Sequence, residues 1–137
     1  MRVSQKSEYA LRAMLELCEN NDHLPVRTAD IAKRQRIPEK FLELILVELR
    51  RAGLIISRRG PDGGHQLAKR PEEIFVGEVW RAIEGGLKTS PVPSKRDDHF
   101  KFVWRQVDEA VANVVDNISF RDVMRRAEKE GVADFSI

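Results

Sequence analysis

Two arginines, Arg58 and Arg59, stand immediately before the run Gly60-Pro61-Asp62-Gly63-Gly64. Upstream, Glu39, Lys40, Glu43, Val47 and Arg50 follow one another at steps of one, three, four and three, with Arg51 next. Cations on a helix and on an adjoining turn suit contact with double-stranded nucleic acid. Lysine and arginine neutralise phosphates, a helix fits the major groove, and a β-ribbon reaches the neighbouring minor groove or the backbone. Nothing comparable points to catalysis. The sequence holds no Ser/His/Asp set, no paired acids and no metal motif, so an enzyme is not expected. The glycines at 60, 63 and 64 do not form a nucleotide loop, because no Lys-Ser/Thr follows and the run leads into a strand.

These side chains need elements to hold them. From Pro38 to Ala52 the pattern is helical, with Pro38 suited to the first helical position, Glu39 in the first turn and Gly53 as the stop. Phe41, Leu42, Ile45, Leu46 and Leu49 form its core face, and Leu44 lies at the border of the two faces. Residues 54–59 have strand composition, 60–64 can only turn, and 65–69 return as a second strand. Ahead of this, Thr28 is placed to cap a short helix from Ala29 to about Arg34, and residues 35–37 make a tight turn. Short helix, turn, longer helix and basic hairpin together are a winged helix-turn-helix. The expected fold is mainly α with a small β-hairpin.

The rest of the chain frames that unit. Ser4 or Ser7 caps a first helix to about Asn20, with Ala10, Leu11, Met14, Leu15 and Cys18 on its buried stripe. A helix from Val76 to Glu84 follows the hairpin and ends at Gly85-Gly86. Residues 86–96 are polar, hold two prolines and read as a linker, dividing a domain at 1–85 from a helical region at 97–137. In the latter, Phe100, Trp104, Val107, Val111, Val114 and Ile118 recur at 4, 3, 4, 3, 4, a heptad seam on a helix from about Asp97 to Asn117. Such a seam either packs on its own domain or pairs with a second copy. Its width, extended by Val103, Ala110 and Val115, favours a dimerisation helix. Ser119 starts a last helix with Asp122 at its third position and Ile118 and Val123 as a hydrophobic staple.

Composition sets the outer bounds. The 137 residues, 42% hydrophobic, suffice for one packed core. No run nears the roughly 18 apolar residues of a membrane span, and the first residues lack the apolar core of a secretory signal, which predicts a cytoplasmic protein. The net charge of +2 is unevenly spread. Residues 1–70 carry 14 Lys/Arg against 9 Asp/Glu, and residues 71–137 carry 10 against 13. The basic half is the one that holds the hairpin, as expected of a nucleic-acid footprint.

Several segments carry a family resemblance. Met1-Arg2-Val3-Ser4, Tyr9 to Leu15, Ala29-Asp30-Ile31-Ala32, Ile37 to Glu43, Leu49 to Leu54, Arg59 to Gly64 and Val76 to Val79 resemble, in order and without gaps over 1–85, the Rrf2 family of bacterial regulators (the IscR, NsrR and CymR type). Helix 97–118 resembles the family's dimerisation helix. The resemblance implies a homodimeric transcription factor, read as a repressor, on a near-palindromic DNA operator. It implies Pro38, Lys40 and Glu43 at the recognition surface and Arg59 in the minor groove. Thr28, Arg50, Arg51 and Arg58 become backbone-positioning groups that carry no sequence information.

The chain also departs from the pattern. Many relatives hold an iron–sulfur cluster on three closely spaced cysteines in the loop after the fourth helix, and loop 85–99 here has none. Cluster ligation of that kind cannot form, so no cofactor or metal is expected, and the effector is left open among thiol oxidation, small molecules and partner proteins. Glu8 matches a ligand position of some relatives but reads more simply as a solvent-facing residue. Cys18, on a buried stripe, reads as core rather than a redox switch. His23, His65 and His99 share no ligand spacing, and Trp80 and Trp104 read as core rather than as the lining of an effector cavity. Two alternatives remain: a winged-helix protein-interaction module that has lost DNA binding, which would want acidic or apolar residues where Arg50, Arg51, Arg58 and Arg59 stand, and a regulator with an atypically ligated cluster.

Overall fold

The computed structural model describes residues 2–20, 24–89 and 99–131. Helix α1, Gln5–Cys18, starts where the Ser4 hydroxyl accepts the Ser7 N–H at 3.1 Å. It buries Ala10, Ala13, Met14, Leu17 and Cys18, while Leu11 and Leu15 pack at the edge of the core. Helix α2, Thr28–Gln35, ends at Arg36, whose φ of 54° is the one positive value among the described non-glycine residues. That left-handed residue turns the chain and lets the Ile37 N–H reach the Ala32 carbonyl at 2.9 Å. Helix α3, Glu39–Arg51, then buries Leu42, Ile45, Leu46 and Leu49.

Two local expectations are corrected here. Pro38 is the residue before α3 rather than its first helical residue. Thr28 does not cap α2; the capping position is Arg27, which makes no side-chain cap bond, and the Thr28 hydroxyl is engaged by His65 instead.

Helix α3 stops as Gly53 predicts. With φ at 76°, Gly53 donates to Arg50 and Leu54 donates to Leu49, each at 3.0 Å, a Schellman closure. Strands β1, Ile55–Arg58, and β2, Gly64–Leu67, pair antiparallel with Ile55 opposite Leu67 and Arg58 opposite Gly64. One 3-10 turn, Pro71–Glu73, leads into α4, Val76–Glu84.

Helix α5 spans Lys101–Val115, shorter than the sequence pattern implies, and residues 90–98, most of the linker, lie outside the described part. Helix α6, Phe120–Lys129, carries the expected cap: Ser119 accepts from the Asp122 N–H at 3.1 Å while Asp122 accepts from the Ser119 N–H at 2.9 Å. Its first residue, Phe120, is 2% exposed and completes the core that α1 to α4 build. The chain before it is stitched down by Val76 N–H to Ile118 and Phe120 N–H to Ile74, both 2.9 Å. Among the described residues, no helix is long and apolar enough to cross a membrane.

Candidate nucleic-acid interface

The hairpin is held against the start of α2 by backbone as well as side chains. Val26 and His65 exchange hydrogen bonds of 2.9 and 2.8 Å, so the segment entering α2 adds a short third rung to the ribbon. The ring of His65 then bridges two hydroxyls, Nε2 to Thr28 Oγ1 at 2.8 Å and Nδ1 to Ser57 Oγ at 2.7 Å. Burial lowers the His65 pKa below its ordinary value, and the charge of Arg50 lowers it further, so the ring is neutral. Arg27 donates to the Pro61 carbonyl and braces the tip.

The tip itself depends on missing side chains. Gly63 donates to Gly60 at 2.9 Å, and a Cβ on Gly63 would lie 2.3 Å from the Arg58 carbonyl oxygen. A Cβ on Gly64, where φ is +145°, would lie 2.6 Å from that of Val26.

These contacts shape an open groove of about 360 Å³ between α2, α3 and the wing. Thr28, Glu39, Glu43, Arg58, Gly60, Gly63 and Gly64, all expected at the site, line it, as do Arg27 and His65. Pro38, Lys40, Arg50, Arg51 and Arg59 stand exposed outside the groove. Sequence reading missed Arg27 and His65 as site residues, since their partners lie 34 and 37 positions away.

Among the described residues, the cations of this face, like several elsewhere, stand without a carboxylate partner. Lys69, Arg70, Arg81 and Arg126 each pair with a carboxylate elsewhere. Among the described residues, none of Lys40, Arg50, Arg51, Arg58 and Arg59 pairs with one. These five cations stand on α3 and the hairpin beside three exposed carboxylates, Glu39, Glu43 and Asp62, which leaves a local excess of positive charge.

Comparison with known proteins agrees. Residues 3–126 match the model of the Rrf2 family, described as an iron-dependent transcriptional regulator. The chain belongs to the Rrf2 family. The Rrf2 protein IscR of Aliivibrio salmonicida, an HTH-type transcriptional regulator, is 33% identical over 140 residues, covering 98% of this chain and 83% of that protein. Among solved structures, CymR, the global cysteine regulator of B. subtilis, superposes with a TM-score of 0.80 at 30% identity, over 90% of this chain and 95% of that one. T. potens IscR does so with a TM-score of 0.80 at 33% identity, over 96% and 91%. This Rrf2 chain is thus a transcriptional regulator with a DNA-binding winged-helix fold, not an enzyme.

Among the described residues no donor set that fits an iron site comes together. The one cysteine of this Rrf2 chain, Cys18, is buried on α1, and burial, aided by the Glu19 carboxylate, pushes the thiol up to about 12, which disfavours the thiolate that ligates iron. Glu8 stands exposed on α1, and among the described residues no three His, Cys, Asp or Glu side chains converge. His99 is exposed, and His23 lies outside the described residues.

The two tryptophans have different surroundings. Trp80 donates its indole N–H to the Arg2 carbonyl at 2.9 Å. Trp104 lines an open pocket of about 670 Å³ with Arg81, Leu87, Thr89, Arg105 and Asp108. Neither tryptophan is in the buried core, contrary to expectation. On α5 itself no residue is buried, and the seam residues Phe100 and Val114 are 63% and 56% exposed.

Proposed function

We propose that this regulator acts in the cytoplasm as a homodimer on a near-palindromic operator, without an iron–sulfur cluster, and represses by covering DNA that transcription needs. The observation that carries the reading is the set of unpaired cations on α3 and the wing. Helix α3 takes the major groove, where Lys40 and Glu43 meet base edges, Glu43 as an acceptor from a cytosine amino group. Glu39 and Pro38 shape the start of that helix. Gly60, Gly63 and Gly64 let the wing tip approach the duplex, and Arg59 enters an adjacent narrow minor groove. Thr28, Arg50, Arg51 and Arg58 hold phosphates and fix the register. The seam Phe100, Trp104, Val107, Val111, Val114 and Ile118 pairs two protomers, so that two α3 helices present themselves about 34 Å apart or a multiple of it.

The test is a binding titration over a salt series, on an operator enriched from genomic fragments. Affinity should fall steeply with salt. Arg59→Ala should weaken operator binding by about 1–3 kcal/mol, the scale of a good base contact. Unchanged affinity in that variant removes the wing from the reading, and a protein with no preference for any duplex is an interaction module instead.

A further inference from the structure

Leu44 sits on α3 and is 61% exposed, although the buried row of that helix runs through Leu42, Ile45, Leu46 and Leu49. A lone exposed leucine is ordinary on a protein surface. Its setting here is not. Leu44 follows Glu43 directly, one turn after the exposed Lys40 and less than a turn before the half-buried Val47. On the next turn Glu48 pairs with Lys6 of α1 at 2.7 Å. Lys40, one turn before, and Arg51, two turns after, share the face of Leu44 and pair with no carboxylate among the described residues, while the exposed Glu43 carboxylate adjoins it in the chain. If α3 lies in the major groove, as proposed above, this exposed leucine is carried on the helix that meets the duplex.

Within the major groove, the options narrow further. The edges of guanine, adenine and cytosine offer only acceptors and amino donors there, whereas thymine alone offers a methyl group. An isobutyl group pressed on an amino group or a ring nitrogen would strip water from it and return no hydrogen bond. Pressed on the thymine methyl, it removes two apolar surfaces from water at once. We propose that Leu44 reads the 5-methyl group of one thymine in each operator half-site, and is a specificity determinant beside Glu43 and Lys40. The inference rests on the operator-binding reading above and adds an A·T requirement that polar readout alone does not impose.

The experiment removes the methyl and nothing else. Deoxyuridine replaces thymidine at each position of the half-site in turn, symmetrically in both halves, and binding to the full-length dimer is followed by fluorescence anisotropy. With wild-type protein, one position should lose about fourfold per half-site, the worth of one buried methyl or methylene. With Leu44→Ala, that position should no longer distinguish the two bases. Leu44 is exposed, so the variant should keep the wild-type unfolding midpoint, which is checked in parallel. Placing 5-methylcytosine at the same position should recover part of the affinity lost on a cytosine substitution, by restoring the methyl in another base pair. Uniform insensitivity to deoxyuridine in wild type, or the same loss persisting in Leu44→Ala, overturns the proposal while leaving operator binding intact. Failure to bind any unmodified duplex overturns both.

Discussion

His65 occupies a position that rewards one protonation state. Its two ring nitrogens face hydroxyls, Thr28 on one side and Ser57 on the other, and each hydroxyl can donate or accept. The neutral ring satisfies both with one donor and one acceptor. Burial, and then the charge of Arg50, lower its pKa in the folded protein from 6.5. The sign of the consequence follows from linkage. Where pH falls below 6.5, the unfolded chain takes up a proton that the folded chain resists, so stability rises with pH through that window and is level above it. Urea midpoints of the wild type should therefore drop as pH is lowered from about 7 to 5.5, ahead of carboxylate titration. His65→Gln, which keeps an amide to bond one hydroxyl, should show a flatter profile over the same range. Parallel profiles for the two proteins would mean that His65 does not carry this dependence.

At the scale of elements, the wing depends on an approach of backbones that two glycines allow in different ways. Gly60 has φ at +106° but open space around its missing Cβ, whereas Gly64 combines φ at +145° with the Val26 backbone 2.6 Å away. Gly60→Ala should cost backbone strain alone, about 1 kcal/mol. Gly64→Ala should cost more, on the order of 2–3 kcal/mol, and should also detach the ribbon from the segment before α2, with a matching loss of operator affinity. Denaturant unfolding and binding of both variants read the difference, and equal costs would make the Val26 contact irrelevant. What was legible in the sequence divides along the same line. The periodicity of α3, the stop at Gly53 and the turn at 60–64 are local chemistry, written within a few residues. The rung between Val26 and His65, the diversion of the Thr28 hydroxyl to His65, and the insertion of Phe120 into a core made by residues before Leu87 depend on partners 37 or more positions apart. No local pattern announces them.

Along the chain, charge is unevenly spread, and α5 carries a row of exposed apolar residues. The first 70 residues are net basic and include α2, α3 and the wing, while the acidic remainder ends in α5 and α6. Helix α5 touches α4 near Arg81 and Asp116, whose pairing holds that carboxyl below its ordinary range, but it buries none of its own residues. An apolar seam with heptad spacing that one chain leaves exposed is suited to isologous pairing, in which each copy covers the other. Two protomers joined this way bind both half-sites at the entropic cost of one association, and the link raises affinity by roughly 10²–10⁴ over a single protomer. Val107→Glu with Val114→Glu places two charges on the seam at positions already exposed in the single chain, so the protomer itself should still fold. Sedimentation should then report a monomer, and operator affinity should drop by about 10²-fold or more, while the contribution of Arg59 to each half-site persists. A variant that sediments as a dimer would move the interface off α5. A monomer with undiminished operator affinity would separate dimerisation from DNA recognition altogether.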